Sequence, residues 1–395
     1  MNVPPKDSRP RVGLVCNGNP RDFRTWSGTP SHMLEALERE FCVTVVIQQP
    51  WANWFDFARK VCRRLSGGRI DPIWSPTISA LAANKAISEL ARSDCEYVFA
   101  IGVTGINYRL VESGKGIVFV SDATQAIMVN YNPRQAALIN SLKNSARMME
   151  SACIRRAVIG LLPSEWARDS AVKDHGGDPE KMLVIPWGAN LEPAEIIAPS
   201  DRNLDEWRLL FVGAVWADKG GDIVLDIVRQ LQAAGRMVHL DVVGSAPPTP
   251  VKMDGVTFHG FLDKNKVEDR LRLSELYRRA HLFLLPTQFE ALGIVFAEAA
   301  SFALPAVSYR TGGIPGMVVD GETGILLPPG AGADKFVEAV EAVMSDRSRY
   351  EKMCNAALTR SQTRLNWAAW ARSVREALDR RKAASGLPAN AESSR

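Results

Sequence analysis

"HLFLLPTQFEALGIVFAEAASFALPAVSYRTGG", residues 281–313, decides the fold. Its first seven residues are an apolar run that reads as a buried strand ending at Thr287. A helix is expected from near Leu292 through "GIVFAEAASFA", and "PAVSYRTGG" (305–313) reads as the next strand. Two strands joined through a helix run parallel. The same alternation extends in both directions. "RVGLVCNG" (11–18), "CVTVVIQQ" (42–49), "EYVFAIGV" (96–103), "GIVFVSDA" (116–123), "AVIGLLPS" (157–164) and "MLVIPWG" (182–188) form one strand series, with helical patterns such as 31–40 and 79–93 between them. The polar, proline-bearing stretch 192–207 reads as a linker. The series restarts with "RLLFVGAV" (208–215), "HLDVVGS" (239–245) and "VTFHGFL" (256–262). The expectation is an α/β protein of two Rossmann-like parallel-sheet domains, residues 1–191 and 208–365, facing a central cleft. Residues 366–382 are expected to form a C-terminal helix packing back on the N-terminal domain, and 383–395 a small-residue polar tail without fixed structure.

Composition narrows the function. The chain has 395 residues, 46% hydrophobic and 23% charged, in the range of a two-domain globular protein. No apolar run approaches the roughly 20 residues that span a bilayer. The polar, proline-rich start does not resemble a secretory leader. Six scattered cysteines fit reduced thiols and a cytoplasmic setting. A net charge of +4 is too small to argue for nucleic acid.

The deciding stretch also carries polar groups. Glycine is a poor helix interior residue, but Gly293 at a first turn lets a ligand approach the backbone. The free amides of Gly293, Ile294 and Val295 then make an anion site, with diphosphate the natural guest. Glu290 and Glu298 lie about 80° apart around the helix and ~12 Å apart along it. That span suits the two ends of a nucleotide sugar, one carboxylate on sugar hydroxyls and the other on ribose hydroxyls. Taken alone, Glu290 also reads as a loop acid favoured by the helix dipole and Glu298 as a solvated helix residue.

Residues 289–330 resemble the signature region of the family 4 glycosyltransferases, retaining enzymes of the GT-B fold. The resemblance is strong over 209–330 and looser over 11–191. It implies that Glu290 faces the donor sugar, that Glu298 faces the ribose, and that Gly293 to Val295 hold the diphosphate. "TGG" (311–313) matches the family's turn beside the cleft; Gly316 stands where an acid usually follows the proline. In "LLFVGAVWADKGG" (209–221) family members carry an arginine just after the strand glycine and a lysine five residues later, both on the diphosphate. Here Gly213 is followed by Ala214, so the arginine is absent, while Lys219 is retained. Lys219 alone would read as a solvated loop lysine. The nucleobase is expected near Phe261 and Leu262. Gly28, with Ser27 and Thr29 behind it, is the candidate N-domain loop residue against donor phosphate and acceptor; it also reads as an ordinary turn glycine. Asp122 stands where the family places a polar residue, often His, beside the reacting carbon; it also reads as a helix N-cap. No Asp-x-Asp triplet occurs, which fits donor binding without a metal and with no cofactor.

The resemblance implies a retaining transferase moving a sugar from a nucleoside-diphosphate sugar, bound mainly by the C-terminal domain, to an acceptor on the N-terminal domain. That acceptor would be a glycan, a lipid-linked molecule or a small molecule, in polysaccharide or glycoconjugate biosynthesis. Alternatives are a GT-B sugar-nucleotide epimerase and a non-catalytic nucleotide-sugar-binding protein. "PWANWFDFARKVCRRLSGGR" (50–69) adds a second surface. Trp51, Trp54, Phe55, Ala58, Cys62 and Leu65 share one side of a helical wheel, with Arg59, Lys60, Arg63 and Arg64 on the rest. This reads as a docked helix with a solvated basic face, or as an interfacial helix over 51–65 that meets the inner face of a membrane or an anionic or lipid-linked acceptor.

Overall fold

The computed structural model describes residues 9–48, 53–102, 105–191, 193 and 197–384. The first sheet holds β1 (Arg11–Cys16), β2 (Cys42–Gln48), β3 (Tyr97–Ile101), β4 (Gly116–Val120), β5 (Ile159–Leu162) and β6 (Met182–Val184), in the order β2-β1-β3-β4-β5-β6. The second holds β7 (Trp207–Val212), β8 (Val238–Val243), β9 (Val256–Phe258), β10 (Leu282–Leu285), β11 (Ala306–Tyr309) and β12 (Gly324–Leu327), in the order β12-β11-β10-β7-β8-β9. Every pairing is parallel, with Leu209 of β7 opposite Leu282 of β10. Helices cover both faces, so the central strands are apolar throughout; all four residues of β10 are buried. Burial on both faces replaces alternation with a continuous hydrophobic run.

Each sheet reverses its strand order once, between β1 and β3 and between β7 and β10. A crevice opens at such a reversal beyond the carboxyl ends of the strands. The chain leaves β7 at Gly213 and β10 at Pro286, so the polar loops of the deciding stretch fall there.

The sequence overran most strands by two to four residues. "NG" after β1, "SDA" after β4 and "HGFL" after β9 leave the ladder for the cleft instead of extending it. β12 was not anticipated; only four residues long, "GILL" has no periodicity of its own, and it pairs along β11. The expected linker is partly anchored: Arg202 is buried in the C-terminal domain, donating to the carbonyls of Phe302 (2.7 Å) and Ala303 (3.1 Å). The last helix, Trp367–Ala384, lies against the helix Thr29–Glu40, with Arg375 donating to the Glu40 carbonyl at 3.2 Å. It runs two residues past the expected end at 382; the rest of the expected tail, 385–395, lies outside the described residues.

The helix Asn53–Leu65 corrects the expected wheel. Trp51 and the side chain of Trp54 lie outside the described residues. Arg59 and Arg63 are not part of a solvated basic face. Both turn inward onto the buried carboxylate of Asp71, with Arg59 bidentate at 2.7 and 2.9 Å and Arg63 at 2.8 Å. The outward stripe is Phe57, Val61 and Leu65, flanked by exposed Lys60 and Arg64. The buried acid decides which side of the helix docks, and it lies outside the helix's own sequence.

Candidate active site in the interdomain cleft

Gly293 caps the helix Ile294–Ser301 with φ 81°, a left-handed conformation. A Cβ there would stand 2.5 Å from the Phe296 ring and 3.1 Å from Cγ of Glu290, so only glycine fits. The helix thus opens two residues later than expected. Its first-turn amides have no helical partners, and Gly293, Ile294 and Val295 line a cavity of about 490 Å³ between the domains.

Glu290 and Glu298 both reach this cavity, from either side of the amides. Glu290 meets Lys219 Nζ at 2.5 Å. Lys219 stands on the loop after β7 and packs so tightly on Gly213 that a Cβ there would lie 2.8 Å from Lys219 Cγ. Glu298 is not a solvated helix residue. Its side chain is 0% exposed, bonded to Lys264 Nζ on one oxygen and accepting from Tyr277 Oη on the other at 3.2 Å. Burial, then the Glu298 charge, holds the Tyr277 phenol well above its ordinary range. Phe261 and Leu262 line the opposite wall; the Phe261 ring is exposed and Leu262 buried.

The N-terminal domain closes the cavity. Arg24 donates to Asp263 through Nη2 (2.6 Å) and Nε (3.1 Å), and holds the Asp263 carboxyl down at about 2. Asn265 donates to Asp22 at 2.8 Å and accepts from the Phe23 amide at 3.0 Å. Ser27 lines the cavity, whereas Gly28 is buried behind it as the cap of the helix Thr29–Glu40 and does not line it. On the other flank Tyr131 reaches the Glu290 loop. Its oxygen accepts the Glu290 amide (2.8 Å), stands 2.8 Å from Thr311 Oγ1, and donates to the Gln288 carbonyl (3.2 Å).

Asp122 lies outside this lining and faces a second cavity, about 560 Å³, on the N-terminal side. The two cavities are neighbours. Enclosure on the cleft floor, then the Glu290 charge, pushes the Asp122 carboxyl up to about 7, with a hydrogen bond from the Trp26 side chain opposing the shift. Asp122 is partly open at its surface although deeply surrounded by protein. It is not a helix cap; Thr124 caps the following helix. Trp26 and Ser27 both hold positive φ, 48° and 57°, the kind of backbone strain that gathers at functional sites. Arg59, Asp71, Trp74, Gln125 and Gln135 complete the polar and aromatic wall.

Lys264, Arg24, Tyr131 and Trp26 were not found from the sequence. Lys264 follows the short β9, and the others come from loops or a helix end of the opposite domain; only the fold brings Lys264 and Arg24 to the cavity of Glu290 and Glu298, Tyr131 to the Glu290 loop, and Trp26 to Asp122.

Residues 206–346, which hold Lys219, Lys264, Glu290 and Glu298, match the family described as Glycosyl transferases group 1. The chain is 29% identical over 229 residues to the alpha-D-kanosaminyltransferase of Streptomyces kanamyceticus, covering 54% of this chain and 58% of that protein. It spans about half the length of the curated relatives it matches. Among solved structures it resembles sucrose-phosphate synthase from Thermosynechococcus elongatus, with TM-score 0.67, 17% identity and coverage of 96% of this chain and 100% of that one. It also resembles Anabaena Alr3699/HepE in complex with UDP-glucose, with TM-score 0.62, 13% identity and coverage of 94% and 99%. Residues 206–346 are thus similar to the group 1 glycosyl transferases, and the whole chain shares the two-domain fold of these solved structures.

Proposed function

We propose that the protein is a retaining glycosyltransferase that moves a sugar from a nucleoside-diphosphate sugar in the 490 Å³ cavity to an acceptor in the adjoining 560 Å³ cavity. One observation carries the reading: Glu290 and Glu298 reach one cavity from either side of the Gly293–Val295 amides. Glu290 takes donor-sugar hydroxyls, the amides and Lys219 take the diphosphate, and Glu298 takes the ribose. Preorganised donors at the leaving phosphate stabilise charge where it develops. Asp122 faces the acceptor cavity near Glu290 and is placed to meet the reacting hydroxyl or the sugar. In this reading protein groups, not a divalent cation, neutralise the diphosphate; transfer that survives EDTA supports this, and transfer that stops there sinks it.

The acceptor reading includes a lipid-linked molecule met at a membrane surface. Among the described residues no helix is long and apolar enough to cross a membrane. Phe57 and Leu65, 70% and 84% exposed, lie on the helix whose Arg59 lines the acceptor cavity. All six cysteines are unpaired, in keeping with a cytoplasmic setting.

The test is a panel of nucleotide sugars with and without acceptors, following released nucleoside diphosphate and the anomeric configuration of the product by NMR. Retention and its loss in folded Glu290→Gln support the proposal. An epimerised donor without acceptor, or binding without turnover, overturns it.

A further inference from the structure

The donor cavity carries three cations and three carboxylates, each cation on one acid: Lys219 on Glu290, Lys264 on Glu298 and Arg24 on Asp263. The site is balanced as it stands. A diphosphate brings at least two negative charges, and the first-turn amides bring none of full size. Cations must therefore be released from their acids as the ligand enters. Arg24 is the least suited, because it is 65% exposed and its bond to Asp263 ties the two domains. Lys219 and Lys264 are enclosed and hold single-point contacts to Glu290 and Glu298.

Glu298 gives the exchange its logic. Its two oxygens are both taken, one by Lys264 and one by Tyr277. A ribose diol can reach it fully only after Lys264 moves away. Glu298 and the Gly293–Val295 amides belong to one short helix, three to five residues apart. The axial step between them is roughly 5–8 Å at 1.5 Å per residue. A lysine's four-carbon stem lets its ammonium swing over such a distance. At the exit of β7 itself Ala214 lines the cavity without a charge, and the cation farther along that loop, Lys219, is held on Glu290.

We propose that Lys264 is a diphosphate ligand released by ion-pair exchange: it holds Glu298 in the empty site and moves to the phosphates when ribose hydroxyls take the carboxylate. This rests on the nucleotide-sugar reading of the cavity. Ribose and phosphate binding are then coupled. Each uncovers the partner of the other, so a nucleoside diphosphate binds far better than its nucleoside or inorganic diphosphate separately. Removing the ribose hydroxyls weakens the phosphate contact as well as their own.

The experiment is calorimetric titration of the full-length protein with UDP, GDP, ADP and dTDP, then, for the tightest binder, with its 2′,3′-dideoxy form, its nucleoside and inorganic diphosphate. Lys264→Met is expected to weaken the nucleoside diphosphate at least tenfold while leaving the nucleoside equal or tighter, because Glu298 is then open to ribose. Ala214→Arg in the Lys264→Met background is expected to recover most of that loss, by restoring a cation at the strand exit. If Lys264 only keeps Glu298 shut, Lys264→Met leaves diphosphate affinity unchanged or raises it, and the proposal is overturned. Should Lys264→Met fail to fold with Glu298 unpaired, the comparison moves to Glu298→Gln against Lys264→Met/Glu298→Gln. A tenfold further loss supports the exchange and equality overturns it. A wild-type protein that binds none of the four nucleotides defeats the nucleotide-sugar reading itself, whereas wild-type binding untouched by Lys264→Met defeats only the exchange.

Discussion

Tyr131, on the N-terminal domain, accepts the backbone amide of Glu290, on the C-terminal domain, at 2.8 Å. The same hydroxyl contacts Thr311 and the Gln288 carbonyl, and the ring packs edge-on against Trp166 and Phe289. One side chain thus fixes the loop that aims Glu290, and does so only while the domains are together. Tyr131→Phe keeps the ring contacts and removes the hydrogen bonds, each worth about 0.5–1.5 kcal/mol. The expected outcome is a drop in kcat/KM of roughly tenfold to a hundredfold. Its melting temperature should move by only a few degrees, since the half-buried ring and its contacts are retained. Unchanged steady-state kinetics would remove Tyr131 from the site.

Asp122 predicts opposite pH trends for stability and activity. Its carboxyl is held at about 7 in the folded protein, against about 3.9 in an unfolded chain. The folded state therefore binds the extra proton. The stability this gives is complete below about pH 4 and is lost as pH rises through about 7. Asp122→Asn stays neutral, so it should equal wild type only below about pH 4, gain on it as pH rises and exceed it most at pH 8.5. The gain should be on the order of 1–3 kcal/mol once cleft water is allowed for. Activity should run the other way. If the ionised carboxylate meets the reacting hydroxyl, wild-type kcat/KM rises with pH through about 7, and Asp122→Asn is flat and lower by roughly 10²–10⁴. A wild-type profile without an inflection between pH 6 and 8 would exclude that role.

The Arg24–Asp263 pair crosses the cleft beside Phe261 and rests on a strongly ionised acid. Asp263 is buried but Arg24 is largely exposed, so the bond is open to screening from the arginine side. Arg24→Ala should raise the donor KM several-fold with little change in kcat, and wild type should approach the variant as salt is raised. A variant with an unchanged KM at low salt would show that this bond does not hold the cleft closed.

The two parallel sheets were legible because strands buried on both faces announce themselves as unbroken apolar runs, as "LFLL" of β10 does; the order of the strands was not read. The Glu290–Gly293–Glu298 placement was legible because it lies within one strand–loop–helix unit, where local geometry fixes separation. Lys264 and Tyr131 were not. The first is 34 residues from Glu298 and the second 159 from Glu290, and contacts at that range follow from tertiary packing. Gly28 was misplaced by one residue for a related reason. The strained backbone of Trp26 and Ser27 turns Ser27 into the cleft and Gly28 behind it. The basic face expected on 51–65 failed because a helical wheel cannot show that a buried acid, Asp71, awaits two of its arginines.

The helix Asn53–Leu65 yields the last prediction. Docked through Arg59 and Arg63, it turns Phe57, Val61 and Leu65 to solvent, with Lys60 and Arg64 beside them. Apolar side chains rimmed by ammonium and guanidinium groups bind anionic bilayers through burial plus charge attraction. Phe57→Ser/Leu65→Ser changes only exposed positions, so fold and donor binding should be untouched. Co-sedimentation of wild type with vesicles containing phosphatidylglycerol should exceed that with neutral phosphatidylcholine vesicles, and the double variant should lose most of that difference. Lys60→Glu/Arg64→Glu should lose it as well, which separates a charged bilayer from a merely apolar contact. Equal sedimentation of all forms would mean that the stripe faces something other than an anionic membrane, and a dimer detected by light scattering only in wild type would identify a second copy as its cover.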